Sequence, residues 1–439
     1  RASQPFRSSD GRYFLVYNGE IYNFLSIKRE LELEGYTFRS RSDTEVLLVA
    51  YERWGLDVVY RLNGMFAFAI WDNKERKVTL VRDRYGIKPI YLYESNNIVL
   101  FASEIKALLA HPQVFPEMDI AGLAEYLSFQ NFFSSKTLFK NIKLFPRASH
   151  QTWSLNGPEM LKESKRYWDY NFSEPETPLS DKEYVEQTQD LIKKAVQSQM
   201  VSDVPLGSYL SGGIDSGLIA AVAAGIKPKL STFTCGFDMR SASGIEMYFD
   251  EREEAEKFSS IFKTQHYEVM VKAGDLEGSL PHMGRFLEEP RVGQSYPNHI
   301  VAELASKFVK VVLSGSGGDE LFGGYPWRYL RSLNKDSTMP FADSYYNFWQ
   351  RLVPEKSFND LLSPVLSDLG KFSAKDIFAS VFPSRERSDR SEEEQVSDCL
   401  YFEAATFLEG LLIVEDKLSM SHSLETRLPF LDNDLVDFV

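Results

Sequence analysis

Ser211, Gly212, Gly213, Asp215 and Ser216 stand in "YLSGGIDSGLIAA", residues 209–221, where an apolar run stops and a new apolar helical pattern begins. Two glycines followed by small hydroxyl residues let backbone N–H groups converge on one point, and a helix starting there adds the positive end of its dipole. That is an anion cradle; the same glycines would serve an ordinary strand-to-helix turn equally well. A second glycine-rich loop, "LSGSGGDELFGGY" at 313–325, carries the adjacent acids Asp319 and Glu320. Two such loops, each with a carboxylate, suit a polyphosphate and its Mg²⁺. Asp215 and Asp319 would supply the hard oxygen ligands that Mg²⁺ prefers. Each acid also has a plainer reading, Asp215 as a helix cap and Asp319 with Glu320 as a solvated helix start. No GxxxxGK followed by Ser or Thr occurs, so the phosphate loop is not of the Walker type.

Ligands of open parallel sheets bind beyond the carboxyl ends of the strands, so these loops should close strands. The pattern agrees. A capping box, Ser180 with Glu183, opens a helix running to about Met200. After it come "PLGSYL" and a helix from Asp215, "KLSTFTCGF" and a helix from about Asp250, "HYEVMV" and a helix from about Asp275, then "KVVLSG" at 310–315. Such alternation predicts a doubly wound parallel sheet, with Cys235 and Gly236 closing another of its strands. Beyond about 325 helical periodicity dominates, broken by the polar stretch "PSRERSDRSEEE". The first part differs, with β-type runs at 12–20, 64–72, 77–83, 89–95 and 97–104 and helical patterns near 22–35 and 43–54. Strands clustered in that way predict an α+β layered domain. Pro, charged and turn residues at 156–179 read as a linker, which gives domains over 1–155 and 180–439.

The chain has 439 residues, a hydrophobic fraction of 43% and a charged fraction of 26%, the balance of a globular protein with two or three cores. A net charge of −14 argues against nucleic-acid or anionic-membrane partners. Two cysteines, Cys235 and Cys399, form no CxxC pair. Neither a disulfide framework nor a zinc site is predicted from them, and a reducing, cytoplasmic setting follows. Six histidines, including His282, His299 and His422, are scattered without metal-binding spacing. No run reaches the length of a membrane span. Both ends, Arg1 and "LVDFV", read as cut.

"SGGIDS" resembles the PP-loop of ATP pyrophosphatases. Upstream, "VYNGEIYNFLSIKRELELEGYTFRSRSDTEVLLVAYERWG", "LNGMFAFAIWD" and "VRDRYGIKPIYLY" resemble the Ntn-type glutaminase domain of class II amidotransferases. In this order, with "LSGSGGDELFGGY" and "DKLSMSHSLETRLPFLD" after them, they resemble the glutamine-dependent asparagine synthetases. The resemblance implies an acyl-adenylate of L-aspartate formed on ATP·Mg²⁺ and amidated by ammonia from L-glutamine, with AMP and pyrophosphate released. By the same resemblance Asn18 and Gly19 form an oxyanion hole, and Glu20 and Asp43 hold the amino group of glutamine. "YNGE" is also an ordinary β-turn composition. Ser211, Gly213, Asp215 and Ser216, with Gly212 in the same ATP loop, would cradle pyrophosphate; Leu210, Cys235, Ser314 and Gly315 would line the adenosine. Cys235 is then a small apolar filler and not a nucleophile. Glu425 and Arg427 read as a structural ion pair. The family's nucleophilic cysteine falls before Arg1, and a phosphate-stabilising lysine after Val439. Ser316 stands where many members carry an acid assigned to substrate chemistry, which bears on the acceptor: a sugar acid, a peptide or an intramolecular carboxylate is the alternative, as is a non-catalytic relative. A homodimer is compatible with the pattern.

Overall fold

The computed structural model describes residues 3–95, 98–157, 160–238, 250–272, 274–291, 295–333, 341–382 and 391–439. Two compact units result, one of Arg1–Phe115 with Ile142–Asp169 and one of Pro116–Asn141 with Tyr170–Val439. No described helix is long and apolar enough to cross a membrane.

In the first unit, β1 (Phe6–Arg7), β2 (Tyr13–Ile21), β3 (Gly64–Asp72), β4 (Lys77–Arg82), β8 (Ser149–Ser154) and β9 (Leu161–Arg166) form an antiparallel sheet in the order β1-β2-β3-β4-β8-β9. A second sheet orders β6 (Ile98–Ala102), β5 (Tyr91–Ser95) and β7 (Ile142–Leu144) as β6-β5-β7. Helices α1 (Phe24–Leu33), α2 (Asp43–Trp54) and α3 (Ile105–Leu109) complete it. Strand β3, "GMFAFAIWD", is apolar from Gly64 to Trp71 because both of its faces are covered. Phe66, Phe68 and Ile70 pack into a core with Leu15, Val46 and Leu47, while Ala67 and Ala69 turn to Leu80, Phe145 and Trp153 on the other side. This is the α+β layering expected.

Two stretches lie differently from the sequence reading. Residues 161–166, inside the expected linker, pair along β8, and Tyr167 joins the first core. Residues 116–141, inside the expected first domain, belong to the second unit: α4 (Ile120–Phe129) brings Phe129 and Phe133 into an aromatic core with Tyr345, Trp349 and Phe402. Edge-to-face contacts of Phe129 with Tyr346 and of Phe133 with Trp349 and Phe402 outweigh sequence proximity.

The second unit holds β10 (Leu206–Tyr209), β11 (Ser231–Phe237), β12 (Gln265–Val271), β13 (Val311–Leu313) and β14 (Glu425–Arg427), all parallel, in the order β12-β11-β10-β13-β14. Helices α5 (Asp181–Gln199), α6 (Ile214–Ile226), α7 (Arg252–Phe262), α8 (Asp275–Leu287), α9 (Ser295–Ser306) and α10 (Gly318–Phe322) accompany the strands. The Ser180–Glu183 capping box forms in full at the start of α5. The helical part runs through α11 (Pro326–Ser332), α12 (Phe341–Trp349), α13 (Phe358–Leu361), α14 (Leu366–Leu369), α15 (Ala374–Val381), α16 (Glu392–Phe402), α17 (Leu408–Met420) and α18 (Asn433–Phe438). A π-helical turn, Glu403–Phe407, joins α16 to α17. The polar stretch from 383 lies outside the described residues up to 390.

Asp83, in "VRDRYGIKP", is fully buried and accepts hydrogen bonds from the amides of Phe66, Tyr85, Ile87 and Lys88 at 3.2, 3.0, 2.9 and 3.0 Å. Its neighbour Arg82 donates to the carbonyls of Lys88, Phe145 and Gly86 at 2.9, 2.5 and 2.6 Å. Burial raises the Asp83 carboxyl, and the amides oppose that rise. Asp83→Ala strips an acceptor from several buried amides and should cost about 3–5 kcal/mol in urea unfolding. A loss under about 1 kcal/mol would mean that the amides find other partners.

Candidate active site

Strands β10 and β13 run side by side, pairing Leu206 with Val311, Gly207 with Val312 and Ser208 with Leu313. Strand order also reverses at β10, since the chain proceeds to β11 on one side and returns to β13 on the other. The two glycine loops therefore leave the sheet together at the switch point, where open α/β sheets bind ligands. A cavity of about 860 Å³ opens there. Leu210, Ser211, Gly213, Asp215 and Ser216 line it from one loop, Ser314, Gly315 and Asp319 from the other, and Cys235 from β11. Gly212 is not among its lining residues; a Cβ there would sit 2.8 Å from the Cβ of Glu254 on α7.

The glycines act by leaving room. Neither Gly212 nor Gly213 has positive φ, and Gly213 caps α6 at φ −76°. A Cβ on Gly315 would meet the Ser216 amide nitrogen at 2.7 Å, and one on Gly318 would meet Asp215 Oδ2 at 2.4 Å. The loops are thus pressed together. Within the first, the Ser211 amide donates to Ser216 Oγ at 2.9 Å and the Gly213 amide to Ser211 Oγ at 3.1 Å, so the two hydroxyls organise the turn.

Burial, then the charge of Asp319, push Asp215 up to about 6, opposed by a hydrogen bond from the Asp319 amide. Burial pushes Glu320 up to about 7, although the Tyr325 hydroxyl donates to it at 2.9 Å. Asp215, Glu251, Asp319, Glu320 and Glu415 all line the cavity, whose described lining includes no Lys, Arg or His. A cavity so charged suits a cation, and hard carboxylate oxygens at Asp215 and Asp319 fit Mg²⁺. The Cys235 thiol is pushed up to about 12 by burial, which keeps it protonated and inert.

Glu415 was not legible as a site residue. It belongs to a face of α17, Leu411, Glu415 and Ser419, whose spacing of four turns all three into the cavity. Ser316 Oγ donates to its Oε2 at 2.6 Å, and burial raises its carboxyl. The signal in the sequence is the acid pair Glu415 and Asp416 directly after the apolar run "LLIV", of which Glu415 shares the helix face of Leu411. Arg427, in contrast, lies outside the cavity lining: it pairs with Glu425 at 2.7 Å and donates to the carbonyls of Gln199 and Val201, a structural role.

In the first unit a cleft of about 220 Å³ holds Asn18, whose Nδ2 donates to Ser103 Oγ at 3.4 Å. Gly19 has φ +152°, and a Cβ there would strike the Met65 carbonyl oxygen at 2.1 Å, so strand packing demands this glycine. Asp43 Oδ2 accepts from the Tyr17 hydroxyl at 2.8 Å and from the Ile21 amide, next to Glu20, at 3.3 Å. Gly19, Glu20 and Asp43 do not line the cleft that Asn18 lines.

The family model described as Asparagine synthase matches residues 187–439, and that described as Glutamine amidotransferase domain matches residues 1–168. Asparagine synthetase (glutamine-hydrolyzing) 1 of Bacillus subtilis is 32% identical over 467 residues, covering 99% of this chain and 70% of that protein. Asparagine synthetase (glutamine-hydrolyzing) 3 of the same organism is 33% identical, covering 97% of this chain and 69% of its own length. A putative asparagine synthetase (glutamine-hydrolyzing) 2 of Methanocaldococcus jannaschii is 36% identical over 71% of this chain and 58% of that protein. With both domains matched in order, and with relatives aligned over nearly its whole length, the chain belongs to the asparagine synthase family of ATP-using, glutamine-dependent amidating ligases.

Proposed function

We propose that the second unit activates the side-chain carboxylate of L-aspartate on ATP. The observation that carries this reading is the meeting of Asp215 and Asp319, from two glycine loops, in one acidic cavity. A carboxylate oxygen of aspartate attacks the α-phosphorus, the bond to the β-phosphate oxygen breaks, and pyrophosphate leaves. Ammonia then attacks the acyl carbon, loses a proton, and AMP departs as asparagine forms. Ser211, Gly213, Asp215 and Ser216 hold the pyrophosphate portion, and Leu210, Cys235, Ser314 and Gly315 the adenosine. Asp215 and Asp319 would hold Mg²⁺, which when bound neutralises phosphate charge. Glu415, facing the cavity and anchored by Ser316, takes the proton released when ammonia adds. In the first unit Asn18 and Gly19 stabilise the oxyanion of glutamine hydrolysis, and Glu20 and Asp43 bind the glutamine amino group. The two free cysteines support a reducing, cytoplasmic setting.

Pyrophosphate release from ATP·Mg²⁺, ammonium and L-aspartate, with asparagine read by mass spectrometry, tests the reading directly; no release with aspartate would redirect it to another carboxylate. Asp215→Ala and Asp319→Ala should each slow release by about 100-fold or more, the equivalent of several kcal/mol of charge stabilisation. Because a raised carboxyl is protonated below its folded value, the apparent Mg²⁺ affinity should fall about tenfold per pH unit below about 6. A flat Mg²⁺ profile from pH 7 to 5 would remove Asp215 from the metal site.

Glu415→Gln should keep ATP–pyrophosphate exchange while amide formation drops, by about 100-fold on the scale of general-base removal. Equal loss of both steps would make Glu415 structural. Glu20→Ala should raise KM for glutamine and leave ammonium-dependent synthesis intact, and parallel loss with both donors would contradict its assignment.

A further inference from the structure

Three histidines far apart in sequence meet in the second unit: His282 on α8, His299 on α9 and His422 immediately after α17. Each offers a ring nitrogen, and these atoms all lie within 4.8 Å of one another. His422 Nε2 is 3.0 Å from His299 Nδ1, and ring centroids are 4.6, 4.8 and 5.2 Å apart. His299 is buried at 6% exposure, and the others are half-buried. The helices that carry them pack through Met283, Leu287, Tyr296, Val414 and Leu418, so the backbone at the cluster is held on three sides. His282 Nε2 also meets Ser421 Oγ at 3.1 Å.

Without an ion, the ring nitrogens are divided between the His299–His422 pair and the contact of His282 with Ser421. Two facing ring nitrogens satisfy each other only if one carries the proton, and a third ring then has to find its own donor or acceptor. A cation accepts all three lone pairs at once. Tetrahedral Zn²⁺ with bonds of about 2.0–2.1 Å to nitrogen spaces its ligands about 3.3 Å apart, and the His299–His422 pair already approaches that spacing. Burial and the neighbouring rings lower His299 and His422, which favours the uncharged ligand form.

We propose that His282, His299 and His422 form a binding site for a divalent transition metal of the Zn²⁺ class, with three imidazole ligands and a fourth position for water. Imidazole ligands select such ions over Mg²⁺, which separates this site from the carboxylates of the cavity. Its place gives it a structural consequence. Asn298 and Ser419, which line the cavity, lie one and three residues from His299 and His422, so the ion would clamp α9 and the end of α17 as one wall.

The test uses the purified chain, stripped with chelator and kept in excess Mg²⁺ so that the carboxylates are filled. Zn²⁺ is titrated calorimetrically and Co²⁺ by visible absorption. One saturable equivalent per chain is expected, with Co²⁺ bands of a tetrahedral nitrogen-rich site and a raised melting temperature. His282→Ala and His299→Ala should each weaken binding by about 100-fold. If His299→Ala fails to fold, the His282→Ala, His422→Ala double variant, at half-buried positions, carries the comparison. Absence of a saturable equivalent in the unaltered chain, or undiminished binding in the double variant, overturns the proposal.

Discussion

Close approach of two backbones at Gly315 is the constraint from which the second unit's chemistry follows. A side chain there would collide with the first turn of α6, 2.7 Å from the Ser216 amide. Without one, the loop after β13 lies directly on the loop after β10, and the parallel pairing of those strands brings both to the same height. The Asp319 amide can then reach the Asp215 carboxylate. Gly318 and Gly324 continue the arrangement, since the space of their absent side chains is taken by Asp215 and Asp319. Loop glycines of this kind are seats for carboxylates as much as turns.

Acids withdrawn from solvent in this unit, wholly or in part, include two kinds. Glu403 is paired with Arg328 at 2.8 Å, Glu288 with Lys417 at 2.6 Å and Glu289 with Arg291 at 2.6 Å, each acid almost wholly removed from solvent. Those pairs compensate the desolvation of both charges. In the cavity, Asp215, Glu320 and Glu415 receive only hydroxyls and amides, and all three are raised. Glu125, buried in the same unit, is likewise held only by the amides of Phe133 and Ser134 and the Ser134 hydroxyl, so what sets the cavity acids apart is that they converge on one open space. The π-helical turn contributes here too. It anchors Glu403 against Arg328 and Tyr345 and sets the rotation at which α17 presents Glu415.

Local patterns made much of this readable from residue order. The alternation of apolar strands with helices disclosed the parallel sheet, and the capping box at Ser180 marked a helix start correctly because both of its hydrogen bonds are local. Loop residues from Leu210 to Ser216 and from Ser314 to Asp319 could be placed together because strand ends gather at a switch point. What stayed hidden depends on distant segments. Glu415 meets Ser316 across 99 positions, and no spacing rule connects them. The histidines looked scattered because α8, α9 and the end of α17 converge only in three dimensions. Likewise, α4 sits amid first-unit sequence, and its membership in the second unit rests on aromatic partners more than 200 positions away.

Strand β14 pairs with β13 through Val311 with Glu425, Val312 with Thr426 and Leu313 with Arg427, after α10 to α17 have intervened. During synthesis, β10 to β13 emerge well before that partner exists, so β13 waits as an open sheet edge. Closure of so long a loop is slow relative to local helix formation. Glu415 is delivered by the same late segment that brings β14. The acidic cavity therefore takes part of its wall, Leu411, Glu415, Ser419 and Phe430, from the last segment to be made, and a chain arrested before residue 411 lacks that wall and leaves the β13 edge unpaired.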